Sequence, residues 1–302
     1  MTRAIPKQRP RFVKAALLLA PALGLALVGC TTTATEKPPA SSVAPAIHPA
    51  LGQAVIGNWR EASAVARDGF RKPAEVLTFW GLKPGMTVLE ISPGGGYWTD
   101  ILAPFAAKTG GRYLATQADL TNAETSQRQR DARKAFEDKY SALAATHGKV
   151  ETVNWGAKSA LPAPANSVDF VLTSRNIHNF HYNGFNDKAM TDFFGVLKPG
   201  GILAIEEHRV DNGRWTPEDR SGYMPTAWVI QSALKAGFVL DGSSELLANP
   251  KDDADHPFGV WTLPPTLRKA AFGQEADPKF DNSEFVAIGE SDRMTLRFRK
   301  PG

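Results

Sequence analysis

A single cysteine, Cys30, stands in the 302-residue chain. That excludes an internal disulfide framework and any zinc site built from several thiolates of one chain. The apolar run from Ala15 to Val28 falls short of the roughly 20 residues that a membrane-spanning helix needs. Surplus charge is also missing from most of the chain. The formal net charge of +4 comes from residues 1–29, which hold Arg3, Lys7, Arg9, Arg11 and Lys14 and no acid. With those five set aside, 30 basic residues face 31 acidic ones, a net charge of −1. A general affinity for nucleic acid or for an anionic membrane surface therefore has no basis in the bulk charge. The Gly-Lys-Ser/Thr of a P-loop is absent. So is the third glycine of a dinucleotide site, because Thr99 stands three residues after Gly96. No internal repeat is visible.

What is present begins with an export signal. The basic residues precede the apolar run, and Leu27-Val28-Gly29-Cys30 follows, in the order of a signal peptide. This ending resembles the lipobox of bacterial lipoproteins, in which the cysteine is lipidated and becomes the new N-terminus. The resemblance implies a signal over residues 1–29, a lipid anchor on Cys30, and a membrane-anchored lipoprotein facing the periplasm. The absence of Asp after Cys30 fits outer-membrane sorting in that pattern. A plain signal peptide, or an uncleaved anchor with an incidental cysteine, is the alternative. Residues 30–50, rich in Thr, Pro, Ala and Ser, read as a flexible tether, with His48 solvated, and residues 51–302 as the folded domain.

Within that domain apolar periodicity alternates between 3.6 and 2. Helices are expected over 54–66, 74–80, 97–107, 124–146, 187–197 and 225–236. Strands are expected over 86–91, 112–116, 150–153, 168–173, 202–206, 238–247 and 293–298. Residues 248–291 show little periodicity and read mostly as loop. Strands alternating with helices give an α/β fold: a doubly wound, mostly parallel seven-stranded sheet with helices on both faces.

The stretch Val88-Leu-Glu-Ile-Ser-Pro-Gly-Gly-Gly-Tyr-Trp-Thr-Asp-Ile-Leu102 is the centre of this pattern: a buried strand ending on an acid, a glycine turn and a helix start. Glycine in such a turn accepts positive φ and lets a ligand approach the backbone, while the helix start offers free N–H groups. The acid-x-x-x-Gly-x-Gly spacing resembles class I S-adenosylmethionine-dependent methyltransferases, with Ser92 where the family usually has its first glycine. KPAEVLTFWGLKPGMTVLEISPGGGYWT, LPAPANSVDFVLTSRNIHNF and FFGVLKPGGILAIEEH extend the resemblance over roughly residues 67–301. They look most like a group of bacterial predicted methyltransferases with unassigned substrates, and they imply a Rossmann-like sheet with an antiparallel last strand.

The resemblance implies that Ser92, Gly94, Gly95 and Gly96 lie against the methionine part of S-adenosylmethionine and that Glu90 holds its ammonium. The acid that usually ends the second strand is replaced by Gln117, with Asp119 slightly beyond, so the ribose falls to one of these, Asp119 being favoured. Asn154 or Trp155 would flank the adenine, although Trp155 reads equally as core. Ligands of open α/β sheets sit beyond the carboxyl ends of the strands, which also selects residues 174–181 and 206–208. In that region His178 is the candidate base and Asn176 an acceptor-side residue for a small-molecule acceptor. Glu206, Glu207 and His208 are candidates for completing the pocket, Glu207 reading as a surface charge because strand alternation sets it opposite Glu206. Aromatic Tyr97, Trp98, Phe180 and Tyr182 suit a planar or apolar acceptor.

Two other readings stay open. His178, His181, Glu206 and His208 are side chains that suit zinc or iron, but no local ligand spacing supports a metal. Asp252, Asp253, Asp255 and His256 read as a solvated acidic loop or a lid. An exported lipoprotein also faces a compartment where S-adenosylmethionine is not expected to be supplied. A methyltransferase-like fold that binds a small molecule, metal or partner without methyl transfer is therefore the alternative function.

Overall fold

The structure, a computed structural model, describes residues 46–302. The signal segment 1–29, Cys30 and the tether as far as residue 45 lie outside the described residues. Nine strands follow in chain order: β1 (Thr87–Ile91), β2 (Arg112–Gln117), β3 (Val150–Asn154), β4 (Val168–Ser174), β5 (Leu197–Val210), β6 (Met224–Pro225), β7 (Val239–Ser244), β8 (Pro257–Val260) and β9 (Arg293–Arg299). Seven of them form one sheet in the order β3-β2-β1-β4-β5-β9-β7, and the two-residue β6 adds an eighth strand by pairing with β5 off that path. Neighbours from β3 to β5 run parallel, while β9 is antiparallel to both β5 and β7. The sheet is thus mixed and mostly parallel, and the antiparallel last strand is as expected.

Strand alternation divides the apolar side chains between two cores. Val88, Phe170, Leu172 and Ala204 pack with Ile101, Leu102 and Phe105 of helix Thr99–Thr109 on one face. Leu89, Ile91, Val171, Leu203 and Ile205 pack with Met190 and Phe193 of helix Asn186–Val196 and Val229 of helix Thr226–Lys235 on the other. The central strands are apolar on both faces because helices cover both. The reversal of strand order falls between β1 and β4, where their carboxyl ends diverge and leave a crevice.

Several boundaries differ from the sequence reading. The first expected helix, 54–66, is instead the end of Pro49–Val55 and the separate Ala62–Val65, because Gly57-Asn58 interrupts it and the Trp59 indole donates to the Asp100 carbonyl at 2.8 Å. The expected break at 67–73 holds a further short helix, Asp68–Arg71. The expected tether therefore ends before residue 50. His48 is exposed yet caps the first helix, its Nδ1 accepting from the Ala50 amide at 3.2 Å, and Pro49 sits in the first turn. The long charged helix starts later, at Gln127, behind a reciprocal Ser126–Gln129 capping box, and ends at Ala142. β5 runs far beyond the expected 202–206 because β9 pairs with it from Ile202 to His208. The expected loop 248–291 contains β8 and helix Ser283–Ile288.

Candidate functional site

The turn after β1 is shaped by three positive φ angles: Ser92 at 50°, Gly94 at 58° and Gly96 at 87°. Ser92 takes a left-handed conformation that glycine adopts more cheaply, and its amide is tied to Thr116 Oγ1 at 2.8 Å. The glycines serve different ends. A Cβ on Gly96 would come within 1.9 Å of the Tyr140 hydroxyl, so that glycine is required by packing. Nothing lies within 4 Å of a Cβ on Gly94 or Gly95. Their backbone is open to a ligand.

Glu90, at the end of β1, is 3% exposed. Thr99 Oγ1 donates to its Oε2 at 3.0 Å and the Tyr113 hydroxyl donates to the same oxygen. Oε1 has no protein donor among the described residues, and Glu90 lines the crevice. Burial pushes the carboxyl up to about 7, against the lowering effect of the Tyr113 and Thr99 bonds. It is held in place but left short of a cationic partner.

The crevice has two compartments that share Ser92, Pro93, Gly94 and Asn176. The larger, about 790 Å³, lies over the ends of β2 and β3 and is lined by Gln117, Asp119, Phe136, Trp155 and Phe180 among others. Asp119 is already engaged: Oδ2 accepts from Ser159 at 2.6 Å, and Oδ1 accepts from the Thr121 hydroxyl at 2.6 Å and amide at 2.9 Å. Those bonds hold its carboxyl below the usual range. The Gln117 amide makes no side-chain hydrogen bond among the described residues. The Asn154 carbonyl oxygen is taken by Arg133. Trp155 serves both as core and as wall: its indole donates to Asp192 at 2.8 Å and its ring packs on Phe180, Phe185 and Phe193.

The smaller compartment, about 390 Å³, lies between β1 and β4 and is lined by Glu90, Tyr97, Trp98, Asp100, Arg67, Arg71 and Arg175 among others. Asp100 accepts from Tyr140 at 2.9 Å and pairs with His147 and Lys139 at 3.3 Å. Burial would raise its pKa, but those partners outweigh burial and lower it. Tyr97 donates to Asp68 at 2.6 Å, and the guanidiniums of Arg60, Arg67 and Arg71 lie 4.4–5.7 Å from its ring centre. Asn176 Nδ2 donates to the carbonyls of Ile91 at 3.1 Å and Ser174 at 3.0 Å, joining the turns after β1 and β4. A separate cavity of about 560 Å³ lies among helices away from the strand ends, with Lys108 its one ionisable lining residue.

The other expected acceptor-side residues sit elsewhere. His178 lines neither compartment. It is 3% exposed, with Nδ1 3.0 Å from Glu207 and its ring beside His208 and Trp261. Glu207, expected at the surface, is fully buried. It accepts from the Ile177, His178 and His208 amides at 2.6, 3.3 and 2.9 Å and so closes the start of helix Ile177–Tyr182. The outward side of an edge strand meets water, but β5 is central. Glu206 is fully buried as well, bonded by Arg293 Nη1 at 2.6 Å and Ser174 Oγ at 2.5 Å. Burial would raise it, yet Arg293, Arg71 and Arg175 hold it at about 2.

The four-residue metal constellation does not assemble. His178, Glu207 and His208 are close, but His181 reaches the Pro217 carbonyl at 2.8 Å and Glu206 faces Arg293. Glu207 spends its oxygens on amides, and His208 Nδ1 contacts Ser291 Oγ at 2.5 Å, so the close trio is a hydrogen-bonded core network. Tyr182 donates nothing to the crevice and instead accepts from the Gly222 amide at 2.7 Å. Asp252 and His256 are buried side chains that pair at 2.8 Å, with Asp252 also accepting from Tyr223 and the Asp292 amide. They fasten the 252–256 segment to the start of β9, while Asp253 and Asp255 are exposed.

The arginines are what the sequence reading missed. Arg67 and Arg71 belong to Arg67-Asp-Gly-Phe-Arg-Lys-Pro73, which reads locally as a helix break. Arg175 directly follows β4, within the segment that the strand-end rule selects.

A family described as "Methyltransferase domain" matches residues 89–205. The ubiquinone/menaquinone biosynthesis C-methyltransferase UbiE of Shewanella pealeana is 31% identical over 132 residues, 42% of this chain and 44% of that protein. Its namesake from Salmonella arizonae is 30% identical over 127 residues, again 42% and 44%. The chain thus spans less than half the length of these relatives. Among solved structures, a putative sarcosine dimethylglycine methyltransferase from Galdieria sulphuraria aligns with a TM-score of 0.48 at 16% identity, over 80% of this chain and 88% of that one. Over residues 89–205, which run from β1 into β5 and include the glycine turn, the chain is similar to methyltransferase domains.

Proposed function

We propose that the crevice binds S-adenosylmethionine and that the protein transfers its methyl group to a small-molecule acceptor. The observation that carries this is Glu90: a fixed, buried carboxyl with one oxygen free, beside the open backbone of Gly94 and Gly95. A ligand with an ammonium group and an extended polar body fits that arrangement. Glu90 takes the ammonium, Gly94 and Gly95 lie along the methionine chain, and the larger compartment takes the adenosine. Gln117 is the ribose partner, because the Asp119 carboxylate is already committed to Thr121 and Ser159. Bound S-adenosylmethionine supplies an electrophilic methyl on a sulfonium. Positioning supplies most of the remaining rate, and Asn176, at the junction of the compartments, orients the acceptor side. His178 acts from behind, through Glu207, as a positioning residue for helix Ile177–Tyr182.

Glu90 makes cofactor affinity depend on pH. Its proton is half lost near pH 7 in the free protein, and an ammonium favours the ionised form. Affinity for S-adenosylhomocysteine, which carries the same amino-acid tail, is expected to rise between pH 6 and pH 7.5 in calorimetric titrations. Glu90→Gln should bind more weakly and show a flat profile over that interval. A wild-type profile in Glu90→Gln would remove Glu90 from the site.

Export and anchoring through Cys30 rest on residues 1–30 of the sequence. Cys30→Ser is expected to abolish labelling by a palmitate analogue in cells and to move the protein out of the membrane fraction. Undiminished labelling would remove the anchor.

A further inference from the structure

Arg67, Arg71 and Arg175 line the smaller compartment and belong, with Arg293 behind them, to a cluster that holds more guanidinium than Glu206 and Glu290 match. Arg67, Arg71 and Arg293 reach Glu290 at 2.5, 3.0 and 3.0 Å, and Arg293 also reaches Glu206 at 2.6 Å. Arg175 stands beside this group and forms no ion pair among the described residues. Four cations therefore share two carboxylates. Both carboxylates stay ionised, since the arginines outweigh burial at Glu206 and at Glu290. The consequence is visible in the donors. Arg67 Nη2, both Nη atoms of Arg71 and Arg175 Nε are buried without an acceptor, although Arg71 is fully buried. An unmatched buried guanidinium is costly unless a ligand supplies the missing charge. The acids on the other wall do not supply it: Asp100 is matched by Lys139, Glu61 is exposed at the rim, and Glu90 is matched by the cofactor's ammonium. The cofactor's own carboxylate brings one negative charge, but its sulfonium returns a positive one.

We propose that the methyl acceptor is a small anionic molecule carrying a carboxylate or phosphate, and that Arg175, assisted by Arg67, binds that group. This rests on the cofactor assignment above. Arg71, the most enclosed of the cluster, serves the cofactor's carboxylate. Arg175 is placed for the acceptor: it follows β4 directly, adjoins Asn176 at the junction of the compartments, and holds a strained φ of 58°. The compartment, about 390 Å³, is of a size that suits a small molecule. Guanidinium donors recognise oxyanions through paired, charge-assisted bonds, which a neutral acceptor cannot form.

The test is calorimetric titration of inorganic phosphate, and separately benzoate, into the full chain saturated with S-adenosylhomocysteine. Saturable binding of at least one probe is expected, weakened by about tenfold or more in Arg175→Met and partly restored in Arg175→Lys. Arg67→Gln, at a partly exposed position, should weaken it as well and serves if the Arg175 variants fail to fold. The proposal is overturned if neither probe binds, if Arg175→Met and Arg67→Gln bind them as the wild type does, or if S-adenosylhomocysteine abolishes anion binding. The last result would place the anion in the cofactor's carboxylate position. If S-adenosylhomocysteine fails to bind while anion binding to the free protein still depends on Arg175, the anion subsite stands and the cofactor assignment falls.

Discussion

Replacing Arg293 by alanine is expected to destabilise the fold by about 3–5 kcal/mol, the range for removing one partner of a buried ion pair. Arg293 is 1% exposed and touches three parts of the chain at once. Nη1 bonds Glu206 and Glu290, and Nη2 donates to the Phe70 carbonyl at 2.9 Å. Its loss leaves the buried Glu206 without its direct ion pair among the described residues and cuts β9 from helix Asp68–Arg71. For a domain of this size the fall in Tm should be on the order of 10 °C. The pH dependence gives a second readout. Glu206 is depressed to about 2 in the folded protein, against about 4.3 for an unperturbed carboxyl. Its contribution is therefore present above the unfolded value and is lost as pH falls from there towards 2. In Arg293→Ala the depression shrinks, so stability should fall less steeply across that acid interval. A wild-type Tm at neutral pH, measured by scanning calorimetry, would contradict the role given to this cluster.

Gly94→Val is the second large effect, and it falls on binding. The position has φ 58° and open space around a Cβ. A β-branched residue is strained there by roughly 1–2 kcal/mol, a cost that a fold with two extensive cores can absorb. The valine methyls, however, project where the compartments join. Affinity for S-adenosylmethionine is expected to drop by about 100-fold or more, equivalent to roughly 2.7 kcal/mol, while cooperative unfolding is retained. Gly96 offers no such separation, since any Cβ there collides with Tyr140, which is itself 2% exposed.

Much of this architecture could be read from local pattern. The apolar runs of β1 and β4, the punctuating glycines and the alternation of periods are properties of short windows, and they placed the sheet, the turn and Glu90. The arginine cluster has no such window. Arg67, Arg71, Arg175 and Arg293 meet only because β4 and β9 flank β5 while helix Asp68–Arg71 packs across their ends. Glu207 departs from its expected surface position for a related reason. Alternation correctly placed it on the face opposite Glu206, but whether that face meets water depends on helix Ile177–Tyr182, whose first amides it binds. His178 follows a strand end, as a ligand-binding residue should, and is nevertheless turned into the core by the same carboxylate. Asp119 lines the larger compartment, and the bond it accepts from Ser159, in a distant loop, has no signal in any short window.

The most direct measurement is titration of S-adenosylmethionine into the purified full chain, with Gly94→Val alongside. Saturable binding of one molecule per chain to the wild type, lost in a folded Gly94→Val, is the predicted result. No binding to a folded, monodisperse wild-type sample, or equal binding by both proteins, would contradict the assignment of the crevice.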